Sequence, residues 1–241
     1  FVAELFLKWA SWRSALGVLG TLSILASIGF GQFGRGGRFP GESPLSSAFC
    51  LLVRAPAFWQ MVALFGLGVS ATVGVYAMLP LYLVVERRFE PTWANTVVAF
   101  SRFPGPILGL LGGWASDQLG ARQTIVISLA FTGAMTLLLG VLPDTWLSAA
   151  VLLQPLLAVW FFPAAFATMA MITPPNARNL AVAFSVPLGF LIGGGAIPTF
   201  IGATGDAGSF ATGFTVTGIL IAAGALLALL LRLPDPQHES M

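Results

Sequence analysis

Long apolar runs constrain this chain more than any other feature of its sequence. The runs lie at 13–32, 55–85, 92–116, 123–143, 147–172, 180–201 and 209–231. Each approaches or exceeds the roughly 20 residues that a membrane-spanning helix needs. Backbone groups in lipid must be satisfied internally, and these runs lack the strict alternation of barrel strands. We therefore predict an all-α integral membrane bundle with seven transmembrane helices in this chain.

Composition excludes several other classes of protein. Of the 241 residues, 57% are hydrophobic and only 8% are charged, whereas soluble domains carry about 25% charged residues. The net charge of +2 is too small and too dispersed to indicate nucleic-acid binding. The acidic residues show no metal-site spacing, and we expect no cofactor. The single cysteine, Cys50, rules out an intrachain disulfide, and the only histidine, His238, lies in a polar tail where solvation is expected.

Two further membrane classes lack the residues that they need. A retinal protein requires a lysine within the membrane, but the only lysine, Lys8, precedes the first apolar run. A membrane enzyme of the zinc or serine–histidine type needs histidines that the spans do not contain.

The connections between the runs indicate how the chain is organised. The longest polar segment, 31–47, is rich in Gly, Pro and Ser and is typical of a flexible linker. The other loops are short, so neighbouring helices are expected to pack antiparallel. The sequence starts at Phe1 and shows no signal peptide, and we expect an N-terminally incomplete chain.

The distribution of Lys and Arg predicts the orientation in the membrane. With the long linker inside, the cytoplasmic set is Arg35, Arg38, Arg54, Arg122, Arg178 and Arg232. The outside set is Lys8, Arg13, Arg87 and Arg88. This bias follows the positive-inside rule and places the C-terminus in the cytoplasm. The short loops and charge pattern favour a multi-pass protein of a bacterial inner (plasma) membrane.

The loop GGWASDQLGARQ, at 112–123, carries the most specific spacing in the chain. Gly113 permits close helix contact, and Asp117 is expected to cap the helix that follows. Gly120 allows a turn with positive φ, and Arg122 is within reach of Asp117 or of an adjacent helix end. These residues form either a gating loop or an ordinary polar turn.

This spacing resembles the loop signature of the major facilitator superfamily, with Gln118 and Gln123 where the family often has a basic residue. Two further segments, SWRSALGVLG at 11–20 and RAPAFWQM at 54–61, resemble the starts of the family's sixth and seventh helices. The resemblance implies a C-terminal half holding helices six to twelve, with the N-terminal half missing. It also implies that the loop closes the cytoplasmic gate.

The implied domains follow the same scheme. Residues 1–31 would be the last helix of the N-terminal half, and 32–54 a cytoplasmic inter-domain linker. Residues 55–232 would be the six-helix transporter half, and 233–241 a cytoplasmic tail. In this family the substrate site lies near the bilayer midplane, between the two halves.

Arg102 is the one charge deep within an apolar run. It lies about 15 Å into its helix, where insertion costs about +2.5 to +3.5 kcal/mol. No Asp or Glu lies inside any predicted span. Its partner is then an acid in the missing half, a substrate anion, or carbonyls freed by Pro104 and Pro106. Oxalate/formate exchangers and monocarboxylate carriers of this superfamily carry an anion-binding arginine on the matching helix, and the resemblance implies that role.

Other polar and flexible residues lie within the spans. Tyr76, Tyr82, Gln154 and Trp160 are candidates for substrate binding or for helix packing. The hinge candidates are Pro104, Pro106, Gly193, Gly194 and Gly195. Gly105, Gly109 and Gly113 form a face of small residues that allows another helix to approach closely.

The preferred function is secondary active transport of a small solute by alternating access, and the solute is an organic anion such as a carboxylate. A drug or metabolite exporter of the same superfamily is the first alternative, and a non-transporting membrane remnant or scaffold is the second. The expected partners are the small-molecule substrate, the lipid bilayer and the missing N-terminal half.

Overall fold

The structure, a computed structural model, describes residues 11–34 and 46–231. Contacts divide the chain into two compact units, Phe1–Ser43 and Pro44–Met241. In the first unit the described helix is α1, Trp12–Phe33, which begins after Ser11, whose hydroxyl accepts a hydrogen bond from the Ser14 N–H. Residues 35–45 of the predicted linker and the predicted tail at 233–241 lie outside the described residues.

The described part of the second unit consists of helices joined by short loops. Its helices are α2 (Ser46–Arg54), α3 (Pro56–Val85), α4 (Pro91–Arg102), α5 (Gly105–Leu119), α6 (Ala121–Val141), α7 (Asp144–Ile172), α8 (Arg178–Asp206) and α9 (Phe210–Leu229). With α1, six described helices are long and apolar enough to cross a membrane: α1, α3, α6, α7, α8 and α9. The predicted all-α membrane bundle is confirmed.

The predicted continuous helix over 92–116 is wrong in one respect, because it is two helices. α4 ends at Arg102 and α5 begins at Gly105. Pro104 and Pro106 have no N–H to donate to the carbonyls four residues earlier, so the α-helical ladder cannot continue. The Phe103 N–H instead donates to the Phe100 carbonyl, at 3.1 Å, which tightens the last turn of α4. The break therefore directly follows Arg102.

Turn and cap residues set the ends of the helices around this break. The Glu90 carboxylate accepts a hydrogen bond from the Trp93 N–H at 2.8 Å, and Pro91 occupies the first position of α4. Hydrogen bonds from the backbone N–H groups of Thr92 and Trp93 hold the pKa of Glu90 below its usual value. The predicted positive φ at Gly120 is confirmed, at 87°, and it separates α5 from α6.

The tightest helix pair is α6 with α9, which are distant in sequence and run antiparallel. A Cβ added at Gly218 of α9 would lie 2.6 Å from the Leu137 Cα of α6. A Cβ added at Gly133 would lie 2.7 Å from the Ala222 Cα. Because only glycine fits at these positions, the two backbones approach each other directly.

The second close pair, α3 with α8, packs where both helices are π-helical. The π segments are Ser70–Gly74 in α3 and Leu191–Ala196 in α8. A Cβ added at Gly193 would meet the Gly66 carbonyl and the Ser70 N–H of α3, and a Cβ at Gly74 would meet the Gly193 carbonyl. The wide turns of the two helices thus face each other near mid-membrane, with glycine at the contact.

Charged residues join the helices at the end of the bundle where α3 ends. The Glu86 carboxylate accepts hydrogen bonds from the N–H groups of Phe210 and Ala211, and so caps α9. The Arg87 guanidinium pairs with Asp144 at 3.2 Å and donates to the Gly140 carbonyl at 3.3 Å. Two consecutive residues of one loop therefore fix the ends of α6, α7 and α9.

We expect Gly218→Ala to lower the melting temperature of the detergent-solubilised protein. The added methyl group would overlap the backbone of α6, and such overpacking costs about 1–3 kcal/mol. Gly202→Ala is the matched control, since a Cβ there meets only the Met78 sulfur, at 3.9 Å. The control should keep or raise the melting temperature, because alanine is about 1 kcal/mol better than glycine in a helix. Equal melting temperatures of the two variants would contradict the close α6–α9 packing.

Candidate functional site

Arg102 and Tyr76 form the centre of the candidate site. The Arg102 guanidinium lies over the Tyr76 ring, with its central carbon 4.5 Å from the ring centroid. Such a cation–π contact contributes about 0.5–2 kcal/mol, depending on how far the pair is desolvated. The Arg102 side chain is exposed, and no carboxylate or carbonyl of the described residues pairs with it. The aromatic ring orients the cation while leaving its N–H donors available.

A cavity of about 150 Å³ opens beside this pair. It forms where three interruptions meet: the π segment of α3, the α4–α5 break, and the break in α7. The helical segments of α7 are Asp144–Leu153, Pro155–Ala158 and Phe161–Ile172. The residues that line it are Thr72, Tyr76, Ser101, Arg102, Gly105, Leu108, Pro155, Ala158 and Val159. Arg102 lies about 16 Å along α4 from Pro91, which is half the thickness of a hydrocarbon core. The cavity is therefore a mid-membrane recess with one cation.

The hydroxyl of Tyr76 is fixed from two sides. It lies 3.3 Å from the Ser101 hydroxyl and donates to the Val151 carbonyl at 3.5 Å. Val151 is four residues before Pro155, which has no N–H to offer it, so that carbonyl is free to accept from another helix. The Ser101 hydroxyl itself donates to the Val98 carbonyl at 2.8 Å. The breaks in α4–α5 and α7 thus hold the tyrosine under Arg102.

Gln154 is fully buried and lies outside the cavity lining. Its amide nitrogen donates to the Ala71 carbonyl at 2.9 Å and to the Thr136 hydroxyl at 3.2 Å. Its amide oxygen is buried and has no partner among the described residues. The side chain therefore joins α7 to the π segment of α3 and to α6.

Tyr82 and Trp160, the two remaining substrate candidates, are not brought to the cavity lining. The Tyr82 hydroxyl donates to the Leu139 carbonyl at 2.7 Å and accepts from Arg87 at 2.7 Å, which places it in the charged network at the end of α3. Trp160 packs against Gly112, where an added Cβ would lie 2.7 Å from its Cα. Its indole N–H is buried and has no partner in the described part of the chain.

The hinge candidates all lie at interruptions of helices. Pro104 immediately precedes α5, and Pro106 is the second residue of that helix. Gly193, Gly194 and Gly195 lie in the π segment of α8.

The gating-loop residues are arranged differently from the expectation. Asp117 does not begin the next helix: it lies in the last turn of α5, exposed, and caps nothing at the start of α6. Arg122 donates to the Leu231 carbonyl at 3.5 Å, after the end of α9, and not to Asp117. A Cβ at Gly113 would meet no atom within 4 Å of it, whereas one at Gly112 would overlap Trp160. Within residues 46–231, the close contact thus belongs to Gly112.

Sequence reasoning missed Thr72 and Ser101, which line the cavity together with Tyr76. Ser101 directly precedes Arg102 and lies three residues before Pro104, so its closeness to a charge and a break was a usable signal. Thr72 had no such signal, because its position depends on the π segment, which places it on the cavity side of α3.

Comparison with known proteins agrees with this architecture. The sequence model of the Major Facilitator Superfamily matches residues 92–240, which is more than half of the chain. The probable nitrate/nitrite transporter NarK2 of Mycobacterium tuberculosis, recorded in two strains, is 26% identical over 187 residues. That alignment covers 78% of this chain but only 39% of the relative, so the chain matches well under half of the relative's length. Because the family model matches more than half of the chain, the chain belongs to the major facilitator superfamily.

Proposed function

We propose that this chain is part of a secondary transporter that carries a small oxyanion across the membrane by alternating access. The observation that carries the proposal is the exposed Arg102 guanidinium, held over Tyr76 beside a cavity at mid-membrane depth. A charged residue at this depth is costly and marks a substrate pathway by default.

The chemistry of the cavity favours an anion. Its lining contains one cation and three hydroxyl groups, from Thr72, Tyr76 and Ser101, and no acidic side chain. A guanidinium presents two parallel N–H donors that match the two oxygens of a planar oxyanion. The Thr72, Tyr76 and Ser101 hydroxyls donate to the Gly68, Val151 and Val98 carbonyls, so the guanidinium is the group in this lining that offers N–H donors to an anion. A cationic drug would meet like charge here, so the exporter alternative has no support from this cavity.

The substrate class is a small planar oxyanion with one negative charge. An organic carboxylate fits this description, and so do the nitrate and nitrite that appear in the name of the Mycobacterium tuberculosis relative. A carboxylate has two oxygens and an organic substituent, whereas nitrate has three equivalent oxygens. Both chemistries use the same guanidinium, and transport measurements with each anion separate them.

We expect Arg102→Ala to reduce oxyanion transport by roughly 30-fold or more, as is typical when one partner of a desolvated charge pair is removed. The measurement is uptake of labelled formate, acetate, nitrate and nitrite into liposomes that contain the intact gene product. Arg102→Lys should restore little of the rate, because a lysine cannot form the paired hydrogen bonds.

The matched control for this substitution is Arg88→Gly. Arg88 is an exposed arginine at the end of α3 with a φ of 59°, which glycine adopts without strain. This variant also removes one positive charge and should transport normally. Normal uptake by Arg102→Ala, or uptake of none of the four anions by the unmodified protein, would rule out the proposed function.

Substitutions of the two tyrosines should distinguish a role in substrate binding from a role in stability. Tyr76→Phe keeps the ring beneath Arg102 but loses the hydroxyl contacts to Ser101 and Val151, so we expect the KM for the anion to rise several-fold. Tyr82→Phe loses its hydrogen bonds to Leu139 and Arg87, so the melting temperature should fall while KM changes less than in Tyr76→Phe. The reverse pattern in paired uptake and melting measurements would move the substrate site toward Tyr82.

The loop at Gly113, Asp117, Gly120 and Arg122 is proposed as part of the cytoplasmic gate. The exposed Asp117 carboxylate, at the end of α5, is available to a second element that approaches this face. We expect Asp117→Asn to slow anion exchange without changing the order of preference among anions. A changed preference with a normal exchange rate would contradict a gating role.

A further inference from the structure

We infer that Gln154 is a positioning residue that sets the orientation of Tyr76 beneath Arg102 and so controls affinity for the anion. This inference rests on the proposed function, because it assigns a role at the same site. Gln154 does not line the cavity, so it does not touch a ligand held there. Its effect passes through the backbone of α3.

The hydrogen bond to Ala71 is the first step in the argument. The Ala71 carbonyl only accepts, so the amide nitrogen of Gln154 must face it, at 2.9 Å. Ala71 is the second residue of the π segment Ser70–Gly74, and Tyr76 follows five residues later. A π turn inserts one residue into an α-helix and changes the direction in which the side chains of the next turn point. Holding this turn therefore fixes where the Tyr76 ring lies.

The second step is that the same break in α7 reaches Tyr76 directly. The Val151 carbonyl, which Pro155 cannot pair, accepts from the Tyr76 hydroxyl at 3.5 Å. Gln154 directly precedes that proline. Val151 and Gln154, which lie three residues apart in α7, thus each form a hydrogen bond to α3. The bond from Gln154 holds the backbone of α3, and the bond to Val151 holds the tyrosine that supports Arg102.

Burial makes this arrangement sensitive to substitution. Gln154, Thr136 and Ser101 are buried to at least 98%, and Ala71, the backbone partner, is 1% exposed. An unpaired carbonyl in such surroundings costs about 1–3 kcal/mol. Removing the amide donor would take away the hydrogen bond that the Ala71 carbonyl receives from α7, and the π segment would then shift.

A residue on the same helix pair provides a matched control. Ser128 of α6 donates to the Leu157 carbonyl of α7 at 2.7 Å, and it is 1% exposed. Ser128→Ala removes a buried hydrogen bond made with the interrupted part of α7, as Gln154→Met does, but Ser128 forms no hydrogen bond to α3 within residues 46–231. A general loosening of α7 would affect both variants alike, whereas positioning through Ala71 would affect only Gln154→Met.

The test combines a spectroscopic measurement with transport. The full-length carrier is labelled with 3-fluorotyrosine, and this chain contributes two tyrosines, Tyr76 and Tyr82, whose ¹⁹F signals are assigned with the Phe variants. In Gln154→Met we expect the Tyr76 signal to move while the Tyr82 signal stays, because Tyr82 is held by Leu139 and Arg87. We expect KM for the anion to rise roughly tenfold, equivalent to one lost hydrogen bond, with a smaller change in the maximal rate.

Gln154→Asn is the second variant, since it keeps the amide but is too short by one methylene to reach Ala71. It should give the same change in the Tyr76 signal and in KM, and Ser128→Ala should give neither. An unchanged Tyr76 signal or an unchanged KM in either folded Gln154 variant would overturn the inference. Failure of both Gln154 variants to fold, with Ser128→Ala folded, would also overturn it, because the amide would then serve global stability.

The two proposals fail in different ways. If the unmodified protein transports none of the oxyanions but Gln154→Met moves the Tyr76 signal, the anion function fails and the structural coupling stands. If the unmodified protein transports an oxyanion and Gln154→Met changes neither the signal nor KM, the positioning role fails and the function stands.

Discussion

The structure depends on one constraint: each backbone N–H and C=O in the membrane must find a partner within the protein. Continuous helices meet it automatically, but α3, α7 and the α4–α5 pair are interrupted near mid-depth. Side chains from neighbouring helices pair with carbonyls there: Tyr76 with Val151, Gln154 with Ala71 and Ser128 with Leu157. These bonds hold the interrupted helices together, and the cavity beside Arg102 lies at their meeting point.

Charged residues at the ends of the helices and in the interior of the bundle have different surroundings. At the end of α3, Glu86 and Arg87 have partners on α6, α7 and α9, so their charges serve to join helices. In the interior, Arg102 rests on an aromatic ring and keeps its donors available. The same residue type therefore has different surroundings: Arg87 donates to three protein groups, whereas the guanidinium of Arg102 has no carboxylate or carbonyl partner among the described residues.

The family match and the cavity draw on different parts of the chain. The match covers residues 92–240 and so includes Arg102, Pro155 and the loop at 112–123. Tyr76 and Thr72 precede that range, yet they form the opposite wall of the cavity. The matched range thus includes the arginine but not the tyrosine beneath it. The aromatic support of that arginine comes from the earlier helix α3.

The sequence by itself determined the membrane class, most of the helix positions and the unusual charge at Arg102, because apolar length and charge are local properties. It also predicted the positive φ of Gly120, since that requirement is local too. Only the tertiary structure separated Tyr76 from Tyr82, placed Gln154 behind the cavity and moved the tight glycine contact from Gly113 to Gly112. Those outcomes depend on π turns and on which helices meet, and a hydropathy pattern along one chain contains neither.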